Sequence, residues 1–128
     1  MSTMSPKFQE WLDALRSGKY LQTSFALRDH QGYCCLGVAC DVVHPDAWRP
    51  FNAHTTEWEH LGNVTLPAQV VQETIGISSS FFSMLVSLND DLEFDFEQIA
   101  DYIEGKARLG VAFKNYDSKT GEEVQNEY

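Results

Sequence analysis

Cys34 and Cys35 stand side by side in the run Tyr33-Cys34-Cys35-Leu36-Gly37, where an extended segment is expected to pass into a helix. A thiol at that point can be activated, because the positive end of a helix dipole favours the thiolate. A cysteine nucleophile also needs a base. His30, His44, His54 and His60 are available, with Asn52, Asn63 or Asn89 as an orienting third group. The enzymatic reading is therefore a cysteine-dependent hydrolase or transferase on Cys35 or Cys34, with His44 as base. The competing reading has Cys34, Cys35 and Cys40 packed as small apolar residues, in keeping with Leu36, Val38, Ala39, Val42 and Val43 around them.

Two other groups of residues could bind rather than react. Arg16, Lys19 and Arg28 lie in the first third of the chain with Tyr20, Phe25 and Tyr33, and cations beside aromatic faces can hold a phosphate and stack a base. They point to a small anionic ligand, against the plainer reading that Arg16 and Lys19 complement the end of a helix. Seven carboxylates, Asp90, Asp91, Glu93, Asp95, Glu97, Asp101 and Glu104, follow one another with no Lys or Arg between them. Such a run can address a basic partner or simply face water.

Metals and cofactors find less support. The cysteines lack zinc-finger spacing, and His54, Glu57 and His60 do not make a specific ligand set. The stretch from Asn89 to Ala100 fails as a calcium loop, since Phe94 takes the sharp-turn position and Ala100 the twelfth. With no phosphate-cradling glycine loop and no nucleophile elbow, no cofactor and no metal is expected.

The elements that position these residues follow from periodicity and caps. Ser5 and Pro6 open a helix whose Phe8, Trp11, Leu12 and Leu15 fall on one face, stopped near Gly18. Leu21, Thr23, Phe25 and Leu27 alternate with Gln22, Ser24, Ala26 and Arg28, which predicts a half-buried strand over 19–28, with Asp29 to Gly32 turning it back through Tyr33. A short buried helix is expected from Cys35 or Leu36 to Val43, ended by His44 and Pro45 and apolar apart from Asp41. Residues 46–65 read as a long structured loop with a short strand near Trp58, and loops of that length are often functional. Further helices are expected over 66–75 with Gly76 as its stop, after Ser78 with Ile77 and Phe82 as a staple, and after Asp95, where Gln98 completes a capping box and Phe94 with Ile99 a staple. Residues 110–128 are expected to form a C-terminal hairpin or a partly ordered tail.

The chain of 128 residues is long enough for one core without staples. No leader is expected from its opening residues, and no apolar run comes near the ~20 residues that span a bilayer. Three cysteines suit a reducing, cytoplasmic setting. The net charge of −10 disfavours general nucleic acid binding, yet it is uneven: +1 over the first forty residues and −11 over the remaining 88. The fold class expected is α+β, a single mainly helical domain over 1–109 with one or two small antiparallel hairpins.

Three segments, "WLDALRSGKY" at Trp11 to Tyr20, "LRDHQGYCCLGVACDVV" at Leu27 to Val43 and "LVSLNDDLEFDFEQIADYIE" at Leu85 to Glu104, resemble a family of small uncharacterised proteins of tailed phages and some bacteria. The resemblance implies an accessory, phage-type setting in a host cytoplasm and no particular reaction. Together with the residues it leads to the expectation of a non-catalytic binding protein that engages or sequesters a host component. The partner would be a host protein met by Asp90, Asp91 and Glu93, or a small nucleotide met by Arg16, Lys19, Tyr20 and Arg28.

Overall fold

The computed structural model describes residues 6–109. The first helix, α1 (Pro6–Arg16), buries Phe8, Trp11, Leu12 and Leu15 as the spacing requires, and Gly18 follows it in the left-handed region at φ 79°. The expected Ser5 cap and the C-terminal hairpin fall outside the described residues. A two-residue ladder then pairs β1 (Arg28–Asp29) with β2 (Gly32–Tyr33) in antiparallel register. The turn between them is held by the Asp29 carboxylate, which accepts from the amides of Gln31 and Gly32.

Helix α2 (Cys35–Val43) comes next and forms the centre of the domain. It packs against α1, against α3 (Gln69–Ile75), against α4 (Ser79–Asp90) and against the first hairpin, while α5 (Phe96–Leu109) closes over α1 and α4. Every residue from Cys35 to Cys40 is buried. Gly37 lets the backbone of Leu27 lie against the helix, for a Cβ there would stand 1.8 Å from the Leu27 carbonyl oxygen. A 3-10 turn (Pro45–Ala47) leads to a second antiparallel hairpin, β3 (Trp48–Pro50) against β4 (Trp58–His60), in the region expected to be a loop with one short strand.

The caps stand where the sequence places them. Ser78 Oγ accepts from the Phe81 amide. Asp95 Oδ1 accepts from the Gln98 amide while Gln98 Oε1 accepts from the Asp95 amide, both at 2.8 Å, a reciprocal capping box. One boundary differs from expectation: helix α3 begins at Gln69 because Ala68 is still extended (ψ 157°). Helix α5 runs through Gly105 to Leu109.

Of the strand expected over 19–28, only β1 and an isolated parallel bridge of Gln22 to Tyr33 form. Leu21 and Phe25 are 73% and 68% exposed, and Phe25 adopts φ 71°. The reason lies in the backbone groups that a ladder would use: the Thr23 carbonyl accepts from Asn89 Nδ2 and the Phe25 amide donates to Asp90 Oδ1. Side chains at the end of α4 have taken the place of a neighbouring strand. The result is a single α+β domain of five helices and two small hairpins among the described residues.

Candidate binding surface

Cys34 and Cys35 sit at the head of α2, as expected, but facing the interior. Cys34 is the N-cap, its Sγ accepting from the Gly37 amide at 3.4 Å, and the Cys35 thiol donates to the Leu85 carbonyl at 3.9 Å. Burial pushes the Cys34 thiol up to about 12 and raises Cys35 and Cys40 well above the ordinary thiol value, outweighing the helix-end amides that act the other way. His44 is the exposed C-cap of the same helix, about 13 Å along its axis from Cys35 at 1.5 Å per residue. The fold does not bring a histidine to either thiol through this pairing.

The candidate cations go to three places. Arg16 donates to Asp101 Oδ1 at 2.6 Å and to Glu104 Oε1 at 2.8 Å, so two of the clustered acids neutralise it. Lys19 and Tyr20 line an open groove of about 590 Å³ between α1 and the C-terminal end of α2, with Lys7, Glu10, Asp13 and Asp41 also on its walls. Arg28 points elsewhere, its guanidinium carbon 4.2 Å from the ring centre of Trp58, 5.0 Å from Tyr33 and 5.3 Å from Trp48.

The carboxylates singled out at the end of α4 divide in the same way. Asp90 is half-buried and accepts from the Phe25 amide at 3.0 Å and from Asn89 Nδ2 at 2.8 Å. Asp91 is the exposed C-cap of α4, and exposed Glu93 turns the chain at φ 58°. Between them Leu92 is 61% exposed. Asn89, only 2% exposed, ties this corner together: its Oδ1 accepts from Gln22 Nε2 and the Cys35 amide, and its Nδ2 donates to the Thr23 carbonyl and to Asp90. Gln22 Nε2 also reaches the Phe94 carbonyl at 2.8 Å. These bonds lay residues 22–25 along the 89–94 turn, with Phe25 exposed on one segment and Asp91, Leu92 and Glu93 exposed on the other.

Asp41 escaped the site expectations. Half-buried, it accepts from the Tyr20 hydroxyl at 2.6 Å and from Trp48 Nε1 at 3.0 Å, and burial together with this bond raises the Tyr20 hydroxyl far above its ordinary value. Its signal in the sequence is that it is the one acid in an otherwise apolar helix. His60 is fully buried beside Trp48, donating Nε2–H to the His44 carbonyl at 2.9 Å, while its Nδ1 has no partner among the described residues. Burial lowers its basicity.

Among the described residues no three His, Cys, Asp or Glu side chains converge to hold a metal, and no helix is long and apolar enough to cross a membrane. Comparison with curated proteins and with solved structures finds no match. The segments that carry the cross-ties just described, from Trp11 to Glu104, all fall inside residues 4–107, the span matched by a family described as Domain of unknown function (DUF8296), and the chain belongs to that family.

Proposed function

We propose that this protein is a non-catalytic binding protein of a phage-type accessory setting, which engages a host protein through the corner formed by the 21–25 segment and the 89–94 turn. The observation that carries this reading is Phe25: a bulky side chain, 68% exposed, on a backbone in the left-handed region. That conformation costs a non-glycine residue about 1–2 kcal/mol, and here it is maintained by the Asp90 carboxylate on the Phe25 amide. Strain of this kind, held in place by surrounding bonds, is a reasoned pointer to function. Leu92, 61% exposed on the facing turn, and Leu21, 73% exposed at the start of the segment, are further apolar side chains left in water. Asp91 and Glu93 border it, and a chain of net charge −10 draws a basic partner more readily than an acidic one.

The test captures host proteins on the immobilised full chain and on two double variants, F25S/L92S and D91K/E93K. One host protein retained by the wild type and lost with both variants supports the proposal. Capture that both variants leave unchanged overturns it. Light scattering adds a second check, since a wild-type dimer that F25S/L92S converts to a monomer would assign the surface to a second copy of the chain instead.

A further inference from the structure

We propose that Arg28 is an oxyanion-binding group, placed to receive the phosphate or carboxylate of a small ligand between the two hairpins. Its side chain starts on β1 and is framed by Tyr33 on β2, Trp48 on β3 and Trp58 on β4. Aromatic rings attract a guanidinium through their quadrupoles, but this attraction is not a hydrogen bond to any of its five N–H donors. Among the described residues the Arg28 side chain makes no hydrogen bond and no ion pair.

Asp29, next to it in the chain, and Asp41, bonded to Trp48, are committed elsewhere. Asp29 accepts from Thr23 Oγ1 and from the hairpin amides, and Asp41 from Tyr20 and Trp48. Arg28 is also half-buried, so a bond formed there is stronger than one in open water. The rings already restrict the rotamers that a free arginine would have to give up on binding. A rigid planar fork with free edges matches a phosphate or a carboxylate in bidentate fashion, which a lysine cannot do. The site shares no residue with the docking corner, so either proposal can fail alone.

The experiment titrates the full chain at low ionic strength with inorganic phosphate, adenosine monophosphate and acetate, following the indole N–H signals by NMR. Trp48 and Trp58 report on the site. Trp11, buried and bonded to the Cys35 carbonyl, serves as the unmoved control. The expected result is a saturable shift of the Trp58 and Trp48 signals with at least one probe, weakened at least about tenfold, or 1.4 kcal/mol, in Arg28→Lys. A response to phosphate and the nucleotide alone assigns a phosphate ligand, whereas an equal response to acetate assigns any oxyanion. Indole signals unmoved by all three probes overturn the proposal, as does an equal affinity in Arg28→Lys or an equal response in a folded Arg28→Gln.

Discussion

Asn89→Ala removes one small side chain, and the structure says which groups are then left without partners. Gln22 Nε2 keeps the Phe94 carbonyl and Asp90 keeps the Phe25 amide. The two that lose are the Cys35 amide, in the first turn of α2 where helix amides have no intrahelical acceptor, and the side-chain bond to the Thr23 carbonyl. Both residues are buried. A buried polar group left unsatisfied costs about 1–3 kcal/mol, so the pair sums to about 2–6 kcal/mol, a large part of the ~5–15 kcal/mol that holds a typical domain together. With a urea slope of about 1–3 kcal/mol/M, the unfolding midpoint is expected to fall by about 2 M at unchanged slope. Asn89→Asp sharpens the test, because it keeps the shape. It replaces the donor facing Thr23 and Asp90 by an oxygen, and so is expected to be no better than the alanine variant at neutral pH. An Asn89→Ala loss under about 1 kcal/mol, or an aspartate variant close to wild type, would refute the account of the corner as a single network.

Native cysteine labelling with iodoacetamide is expected to be slow at all three thiols, since burial shields each of them and holds Cys34 up to about 12 and Cys35 and Cys40 well above the ordinary thiol value; rapid modification of one of them before unfolding would contradict the burial argument. Burial lowers the His60 pKa below its unfolded value near 6.5, so the stability tied to its neutral form is complete above about pH 6.5 and lost as pH falls through the folded value. His60→Gln keeps a donor for the His44 carbonyl and removes the titration. Its thermal midpoint is expected to fall less steeply than that of the wild type below that pH, and parallel curves would count against the assignment. Gly37→Ala puts a carbon 1.8 Å from the Leu27 carbonyl oxygen, and a loss above about 4 kcal/mol is expected in urea unfolding; a wild-type midpoint would show that the 27–37 contact is not as close as described.

The helices were legible because each depends on nearby residues: the apolar stripe of α1, the staple and box around Asp95, and Gly76 at φ 95° after α3. The 19–28 segment was not. Its alternation is real, but the bonds that decide its path come from Asn89 and Asp90, more than sixty residues further on, and no local period reports them. The site candidates show the same limit. That Arg16 is positive could be read directly; that Asp101 and Glu104 lie across from it depends on how α5 folds back over α1. Asp41 was visible as an odd residue in α2, whereas its partners Tyr20 and Trp48 become apparent only in three dimensions. The three segments behind the family resemblance are joined to one another by these ties, Trp11 and Tyr20 to α2, Arg16 to α5, and Asn89 to the head of α2. They therefore describe the scaffold more than any one site.

One property of the Asn89 corner concerns exchange with solvent. The Cys35 amide is protected by the tail of α4, and the Phe25 amide by the carboxylate next to it. Each proton is held by a residue of the last turn of α4, so both are expected to exchange when that turn frays, with the corner and the start of α2 opening as one unit. If a partner rests on Phe25 as proposed, exchange at Cys35, deep in the core and out of its reach, is expected to slow as well, and contact at the surface would be registered at the centre of the domain.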